Sequence, residues 1–427
     1  MSAGDAKTRV SRETAPLVEL FPRGTTVDER GLVFAGCAAV DLARSYATPV
    51  LVIDESALRQ RARAYAQGLT RRWANSRVVW ASKSLPCTAV YRVMADEGLG
   101  VDVAGGGELV MALAAGVEPS RLVVHGNAKT DAEIAMALTA GVGTIVVDNT
   151  DDIERLERLA TAEQGVLVRV TPGVRPATHA AISTGQTVSK FGVALAHVPR
   201  VIERVRASRW LRLDGLHVHV GSQILETEPF ERAVEALAPL GEFATYDLGG
   251  GLGARYTYDD HPPTIEQYLD ELVGAARRGL PSTARLLIEP GRSMIAETGV
   301  TLYTVVSVKE NGGTTFVAVD GGMGDNLEVS LYGQRFEATV ATRIGGGTIC
   351  TVVGRHCESG DQLIDGVALR DPVVGDILAV PVTGAYCLTM ANNYNGALRP
   401  PIVFASDGTS RAVLRRETYD DLLARDL

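Results

Sequence analysis

A parallel (β/α)8 barrel followed by an all-β domain is the fold that the sequence predicts. Short apolar runs alternate with stretches of helical period as far as residue 298, and beyond it strand-like runs alternate with Gly-rich turns. The length of 427 residues also exceeds what one ordinary core occupies. We therefore expect an N-terminal segment (1–48) that contributes to the β-domain, a barrel (49–298) and the β-domain itself (299–427).

The barrel prediction rests on eight short runs that are rich in Val, Ile and Leu and apolar on both faces, as parallel strands covered by helices should be. Stretches between them, such as 106–115 and 131–141, have the spacing of amphipathic helices. Polar or Gly residues follow nearly every run, where a barrel keeps its active site, whereas a doubly wound sheet is the competing fold. The runs cover residues 78–83, 100–104, 122–126, 144–149, 166–171, 215–221, 245–250 and 285–290.

The β-domain prediction rests on alternating runs with little helix between them. Residues 31–35, ahead of the barrel, are a candidate for one more strand of this domain. The runs cover residues 300–309, 315–320, 348–354 and 375–382.

Composition limits the classes of function. Hydrophobic residues make up 46% and charged residues 22%, which is typical of a soluble globular protein. The net charge of −9 offers no general attraction to nucleic acid or to an anionic membrane, and no apolar run has the length of a membrane span. Five cysteines follow neither a metal-binding nor a disulfide spacing, so we expect no metal site and a cytoplasmic protein.

Lys83 ends the first predicted barrel strand, in the sequence WASKSLPC. A lone lysine is usually a solvated surface charge. At the C-terminal end of a barrel strand, however, a partly desolvated amine can form a Schiff base with a carbonyl compound. The position makes Lys83 a candidate catalytic residue.

Three other strand ends offer groups for a phosphorylated ligand. The sequence DLGGGLG after the seventh strand allows backbone amides to surround an anion, although it also suits an ordinary flexible turn. Ser222, after the sixth strand, can donate to the same anion. EPGRS, after the eighth strand, places Glu289 and Arg292 around one turn, where they form either a structural ion pair or the partners of a ring nitrogen and a phosphate.

Two polar segments of the β-domain complete the set of candidates. HCESGD surrounds Cys357 with polar residues, which argues against an ordinary buried cysteine. GAYCLTMANNYN places Tyr386 in a second polar segment.

These segments together resemble one enzyme family. The resemblance is to the fold-type III decarboxylases that use pyridoxal 5'-phosphate, and most of all to the diaminopimelate decarboxylase family. It rests on six motifs that occur in the expected order between Lys83 and Asn395: ASK, HVHVGSQI, DLGGGLG, EPGRS, HCESGD and GAYCLTMANNYN. LFPRG and TPVLVIDE also fit, so the resemblance covers nearly the whole chain.

The resemblance implies a role for each candidate. Lys83 binds the cofactor as a Schiff base, His219 stacks on its ring, and Glu289 pairs with its ring nitrogen. Cys357 returns a proton to the product as general acid. The phosphate is bound by Ser222, Gly249, Gly250, Gly251, Arg292 and Tyr386. The amino-acid substrate is bound by Arg292, Glu328, Tyr332, Glu358 and Ser359.

The resemblance also implies a homodimer with two shared sites, since in this family the HCESGD segment crosses into the neighbouring subunit's site. Diaminopimelate, decarboxylated to lysine, is the substrate that the motifs favour. One departure leaves the substrate open: Glu328 stands where the family usually has an arginine that binds the distal carboxylate of the substrate. Arg335 is a candidate replacement, and a paralogue acting on an ornithine-like, lysine-like or carrier-bound glutamyl substrate is the alternative.

Two further alternatives remain. An amino-acid racemase of the same fold also uses a cofactor-bound lysine, but it would leave HCESGD unexplained. A non-catalytic pyridoxal-phosphate-binding protein would be expected to have lost Lys83, Cys357 or the β-domain, and all three are present.

Overall fold

A computed structural model describes residues 18–174, 185 and 189–427. They form two compact units. The first, which we call the barrel unit, consists of Leu58–Arg255 and Asp260–Ala296, less the undescribed residues. The second, the β unit, consists of the described residues up to Ala57 together with Tyr256–Asp259 and Glu297–Leu427.

The N-terminal part of the β unit forms a small antiparallel sheet, a helix and one further strand. The small sheet has the order β1-β2-β3, so the predicted strand at residues 31–35 exists but pairs within this sheet. The elements are β1 (Thr26–Asp28), β2 (Gly31–Phe34), β3 (Cys37–Ala38), α1 (Ala39–Tyr46) and β4 (Val50–Asp54).

Nine strands of the barrel unit form one parallel sheet, and eight of them close into a ring because β8 pairs with β9 and β13 pairs with β5. The two-residue β10 pairs with the end of β9. The prediction of a (β/α)8 barrel is confirmed. The strands are β5 (Ser76–Ala81), β6 (Gly100–Val103), β7 (Leu122–Val124), β8 (Thr144–Val147), β9 (Gln164–Thr171), β10 (Val193–Ala194), β11 (Leu211–Val218), β12 (Thr245–Asp247) and β13 (Arg285–Ile288).

Apolar side chains fill the inside of the ring, because every second side chain of a strand in a small barrel points inward. One buried cluster takes a residue from each of five strands: Val79, Val123, Val146, Leu167 and Leu287. The interior is therefore a packed core below the strand ends.

Helices follow most of the strands, and several start with clear caps. Thr130 and Thr264 each form a capping box with the residue three positions on, which satisfies amide groups at the start of α5 and α9. The helices are α2 (Glu55–Arg72), whose first turn belongs to the β unit, α3 (Thr88–Asp96), α4 (Gly106–Ala114), α5 (Asp131–Ala140), α6 (Thr150–Leu159), α7 (Val198–Arg206), α8 (Glu228–Leu237), α9 (Ile265–Gly279) and α10 (Arg292–Ile295).

The remaining eight strands of the β unit form, together with β4, a mixed sheet of nine strands, and two short helices accompany it. The long strand β14 pairs with β4 and β19 through its first half and with β15 through its second half. The elements are β14 (Gly299–Asn311), β15 (Thr314–Val319), α11 (Glu328–Tyr332), β16 (Thr339–Val340), β17 (Thr348–Val353), β18 (Gln362–Leu369), β19 (Ile377–Pro381), β20 (Ile402–Ser406), β21 (Thr409–Leu414) and α12 (Tyr419–Leu423).

Strand β4 belongs to the β unit, although we expected the barrel to begin at residue 49. Its five residues are all buried, as in a barrel strand, but they pair parallel with β20 and antiparallel with β14 in the β unit. A strand that is covered on both faces has the same composition in either place, so the sequence alone does not separate the two. Among the helices of the described chain, none is long and apolar enough to cross a membrane.

Gly215 offers a test of the packing between β11 and β12. A Cβ there would lie 1.7 Å from the backbone oxygen of Thr245, so we expect Gly215→Ala to lower the free energy of unfolding by about 3 kcal/mol. The control is Gly107→Ala in α4, where a Cβ has open space and alanine should be neutral or stabilising by up to about 1 kcal/mol. Denaturant unfolding followed by circular dichroism measures both, and equal stability of the two variants would contradict the packing.

Candidate active site

Every strand of the closed barrel carries a titratable side chain within two positions of its C-terminal residue. Because the strands are parallel, these side chains lie at one end of the barrel, the end at which barrel enzymes place catalytic groups. In chain order they are Lys83, Asp102, His125, Asp148, Arg169, His217 with His219, Asp247 and Glu289.

Lys83 lies in a single turn of 3-10 helix directly after β5. Its side chain is exposed, whereas those of Ser82 and Ser84 on either side are buried. The hydroxyl of Ser84 accepts a hydrogen bond from the indole of Trp80 (3.1 Å), which fixes the turn. The amine of Lys83, at the end of the first barrel strand, is thus exposed on a turn whose conformation is fixed.

Glu289 is buried directly after β13, with one imidazole beside each of its carboxylate oxygens. Oε1 lies 2.6 Å from His125 Nε2, and Oε2 lies 3.1 Å from His217 Nε2. The two imidazole rings meet edge to face with their centroids 4.8 Å apart. Asp247 completes the group, since one donor atom from each of the four side chains lies within 4.8 Å of the other three.

Burial opposes charge on every member of this group, yet one carboxylate stays ionised. Burial disfavours the charged form of Glu289, but His125 and His217 hold its pKa well below the usual range. Burial lowers the pKa of His125 to about 4 and also lowers that of His217, so both rings are neutral near pH 7. Burial and the charge of Glu289 raise the pKa values of Asp102 and Asp247 well above normal. Of these three carboxyl groups, Glu289 is therefore the one whose ionised form the surroundings favour.

The three glycines after β12 approach neighbouring backbone too closely for any other residue. A Cβ at Gly250 would lie 2.0 Å from the carbonyl oxygen of Glu289, and one at Gly251 would lie 2.5 Å from that of Gly221. Gly249 has a φ of 66°, in the left-handed region that glycine favours. The Gly-rich sequence is therefore a tightly packed loop.

Two of these glycine amides are hydrogen-bonded to barrel side chains. The Gly249 amide donates to Asp247 Oδ1 (3.0 Å), and the Gly250 amide donates to His219 Nδ1 (3.2 Å). Burial, followed by the positive charge of Lys83, lowers the pKa of His219 well below its usual value, and the neutral ring accepts the hydrogen bond from the Gly250 amide at Nδ1. The loop thereby fixes the orientation of the His219 ring.

Arg292 is buried at the first residue of α10, and its Nε donates to the hydroxyl of Ser222 (3.2 Å). The next residue, Ser293, shares a hydrogen bond with the hydroxyl of Tyr65 (2.6 Å) and accepts one at its backbone oxygen from Arg61 Nε (2.8 Å). The turn after Glu289 is therefore held from two sides. The structure brings Ser222 and Arg292 together, and their binding of a phosphate stays a prediction.

In the β unit, Asp361 joins the segments GGMGDN and HCESGD. Its Oδ1 accepts from the Met323 amide (2.6 Å), and its Oδ2 accepts from the His356 amide (2.8 Å). His356 Nε2 in turn accepts from the Gly324 amide (3.1 Å). The two segments therefore form one hydrogen-bonded structure.

Cys357, Glu358 and Ser359 are exposed at the tip of this structure, and the other four cysteines are buried. The Cys357 amide donates to Asn395 Oδ1 (2.9 Å). The hydroxyl of Tyr394 donates to Glu358 Oε2 (3.3 Å). The segment ANNYN thus supports the backbone beside the thiol and the carboxylate that follows it.

Glu328 begins α11 and is only 1% exposed within the described chain. Its Oε2 accepts from the hydroxyl of Tyr256 (3.3 Å), and the half-buried Tyr332 ends the same helix. Arg335 is exposed and lies 3.8 Å from Asp259, so the geometry of the β unit gives no support to Arg335 as a replacement for the missing arginine.

Tyr386 lies in a strained segment of the β unit. It is half-buried and has a φ of 62°, and the buried Val382 four residues earlier has the same φ. Bulky and β-branched residues rarely adopt this conformation, and such strain is concentrated at functional sites.

Comparison with known proteins decides the family. The pattern for "Pyridoxal-dependent decarboxylase, pyridoxal binding domain" matches residues 55–296. The chain belongs to the pyridoxal-dependent decarboxylases. The resemblance stated from the six motifs is therefore confirmed, and with it the pyridoxal phosphate cofactor and the carboxy-lyase class.

Relatives within this decarboxylase family match almost the whole chain. Diaminopimelate decarboxylase of Actinosynnema pretiosum subsp. auranticum is 44% identical and covers 96% of this chain and 95% of its own length. That of Bacillus subtilis is 42% identical, with coverage of 96% and 98%. The crystal structure of diaminopimelate decarboxylase from M. jannaschii in complex with L-lysine has a TM-score of 0.89 and 29% identity, with coverage of 95% and 98%. That from Helicobacter pylori with L-lysine has a TM-score of 0.85 and 28% identity, with coverage of 90% and 98%.

The barrel unit of this decarboxylase fits the cofactor chemically. Pyridoxal phosphate needs an amine for its aldehyde, an anionic partner for its ring nitrogen and donors for its phosphate. Lys83 offers the amine, Glu289 a buried ionised carboxylate, and Ser222 and Arg292 the donors. The imidazole and carboxylate atoms around Glu289 are also of the kind that bind zinc.

Sequence reasoning missed Asp102, His125, His217 and Asp247, although each stands at or beside the end of a correctly predicted strand. The usable signal was a polar side chain at the end of an apolar run. In GLHVHVG the alternation was a further signal, since residues two apart on a strand share a face and His217 therefore accompanies His219.

Asp325, in the segment GGMGDN of the decarboxylase, makes stability depend on pH. It is buried and accepts hydrogen bonds from the hydroxyl of Tyr303 (2.5 Å) and the amide of Gly322 (2.9 Å), yet burial raises its pKa from 3.8 to about 7. The folded state therefore binds a proton that the unfolded state loses, and the stability present below about pH 4 declines as pH rises to about 7.

We therefore expect Asp325→Asn to gain stability relative to the wild type as pH rises through this window, by about 1 kcal/mol per pH unit. Thermal unfolding across the window measures the difference. Asp420→Asn, at an exposed position of the same unit, is the control for loss of a surface charge. Parallel pH profiles of the Asp325 variant and the wild type would contradict the prediction.

Proposed function

We propose that this chain decarboxylates meso-diaminopimelate to L-lysine and carbon dioxide, with pyridoxal phosphate as cofactor. The observation that carries the proposal is a lysine and a buried, ionised glutamate at one end of the barrel, in a chain 44% identical to a diaminopimelate decarboxylase. Two structural relatives that bear the same name hold L-lysine, the product of this reaction.

In this proposal the cofactor supplies an electron sink, because its protonated ring accepts the electron pair left when the bond to the carboxylate breaks. Lys83 holds the cofactor, His219 stacks on its ring, and Glu289 pairs with its nitrogen. The phosphate is bound by Ser222, Gly249, Gly250, Gly251, Arg292 and Tyr386.

Cys357 completes the proposed reaction as general acid. Its thiol donates a proton to the carbon that lost the carboxylate, and the thiolate takes up a proton from solvent afterwards. Cys357 is exposed, and the hydrogen bond from its amide to Asn395 holds its backbone in place, which supports this role. The amino-acid substrate is bound by Arg292, Glu328, Tyr332, Glu358 and Ser359.

Glu328 favours a second candidate function. A carboxylate replaces the guanidinium that would bind the distal carboxylate of diaminopimelate, which reverses the local charge. A substrate with a distal ammonium group, of the ornithine or lysine type, would suit this charge better, and a carrier-bound glutamyl group is the other alternative substrate. The contact between Glu328 and Tyr256 supports the opposite interpretation, in which Glu328 stabilises the β unit.

We further propose a homodimer in which Cys357 and Glu358 complete the site of the partner subunit. The exposure of both residues in the single chain supports the proposal. The cytoplasmic location stays a prediction.

Carbon dioxide release from a panel of amino acids tests the function. We expect cofactor-loaded protein to turn over meso-diaminopimelate to L-lysine, and Lys83→Ala to abolish turnover. Ornithine, lysine and arginine are assayed in parallel. Turnover of one of these in place of diaminopimelate would establish the second candidate, and interconversion of enantiomers without carbon dioxide would contradict both.

Glu328→Gln separates the two interpretations of Glu328, because the amide can still accept the hydrogen bond from Tyr256. If Glu328 faces a distal carboxylate, loss of its charge should raise kcat/KM for diaminopimelate about tenfold; if it faces a distal ammonium group, kcat/KM for that substrate should fall by a similar factor. An unchanged kcat/KM would leave Glu328 with a structural role alone.

Mixing inactive subunits tests the shared site. If Lys83 and Cys357 of one site come from different chains, co-refolding Lys83→Ala with Cys357→Ala should restore about one quarter of the wild-type activity, since half of the dimers are then hybrids with one intact site. Each variant refolded alone is the control. No recovery in a mixture shown to contain hybrids would overturn the shared site.

A further inference from the structure

The two imidazoles beside Glu289 have no role in the function described so far. We propose that His125 and His217 are positioning residues that hold the carboxylate of Glu289 as the single anionic partner of the cofactor's ring nitrogen. The inference rests on the proposed function, in which Glu289 pairs with that nitrogen.

Geometry is the first support. The Glu289 carboxylate is approached from two directions: His217, on β11, forms a hydrogen bond with it (3.1 Å), and His125 Nε2, after β7, lies in close contact at 2.6 Å. Both imidazoles are buried, at 7% and 1% exposure, so water does not compete for these contacts. The edge-to-face contact of the rings then limits rotation of either imidazole.

The position of the protons is the second support. His217 Nδ1 has no hydrogen-bond partner among the described residues, whereas its Nε2 faces the carboxylate. The Nε2 atom therefore carries the proton and donates it to Glu289. A neutral imidazole that donates in this way stabilises an ionised carboxylate without neutralising it.

The surrounding charges are the third support. Lys83 and Arg169 are the cations whose charges act on this group, and Asp102, Asp148 and Asp247 are the carboxyl groups around it. Asp102 Oδ1 lies 3.9 Å from His125 Nε2, so His125 is within reach of a second acid. Because burial raises the pKa values of Asp102 and Asp247, the surroundings favour the negative charge on Glu289.

Replacement of His125 or His217 should favour the protonated form of Glu289 over the ionised form. A buried carboxyl group that loses a donor favours its protonated form, because desolvation then outweighs the remaining hydrogen bonds. A protonated Glu289 no longer holds the proton on the cofactor ring. An exposed histidine has no such effect, so His261→Leu in the same unit is the matched control.

The experiment is solid-state ¹⁵N NMR of the protein loaded with pyridoxal phosphate that is labelled at the ring nitrogen. We expect a protonated ring nitrogen in the wild type and in His261→Leu, and a neutral one in His125→Leu and His217→Leu. His125→Gln and His217→Gln keep an N–H group close to the position of Nε2 and should restore the protonated signal. Cofactor affinity of the leucine variants should fall about tenfold, the value of a hydrogen bond to a charged group.

The outcomes separate this inference from the function on which it rests. A neutral ring nitrogen in the wild type would overturn the pairing with Glu289 and thus the proposed arrangement of the cofactor. A protonated nitrogen in the wild type and equally in both leucine variants would overturn the positioning role alone.

Wild-type protein provides a second measurement if the leucine variants do not fold. The ¹⁵N shifts of its histidines, assigned with the glutamine variants, should show both buried imidazoles neutral at pH 7, with the proton of His217 on Nε2. A charged ring, or a proton on Nδ1 of His217, would contradict the inference.

Discussion

Closure of the parallel barrel is the constraint on which the candidate site depends. Around the ring β7 and β13 are separated by β5 and β6, so the contact between His125 and Glu289 crosses the barrel mouth. In an open sheet these two strand ends would be separated by the spacing of several strands, and neighbouring strands lie about 4.8 Å apart. Pairing of β8 with β9 curls the sheet and brings the charged ends together above an apolar core.

Much of the fold was accessible from the sequence, because buried parallel strands read as short apolar runs whatever their partners are. All eight barrel strands lie at or near the predicted runs, and the helices at 106–115 and 131–141 are present as α4 and α5. The same reasoning explains why the sequence placed β4 in the barrel. Because β4 is buried and pairs parallel with β20, its composition is that of a barrel strand.

The candidate site was accessible only in part. Motifs that lie together in sequence, such as EPGRS, supply Glu289 and Arg292 directly. The partners of Glu289 are far away in the chain; His217, for example, is 72 positions earlier. Periodicity describes local faces of a strand and carries no information on which faces meet across a barrel, so the imidazole pair became visible only with the fold.

The chain passes between the two units four times, at residues 57/58, 255/256, 259/260 and 296/297. A single cut therefore never separates a complete barrel from a complete β unit, because each contiguous half lacks strands or loops that the other half encodes. Recombination that exchanges one domain of this gene for a homologue's would have to respect all four crossings. A single crossover with a homologous gene would therefore leave the β unit as a hybrid of the two parent sequences.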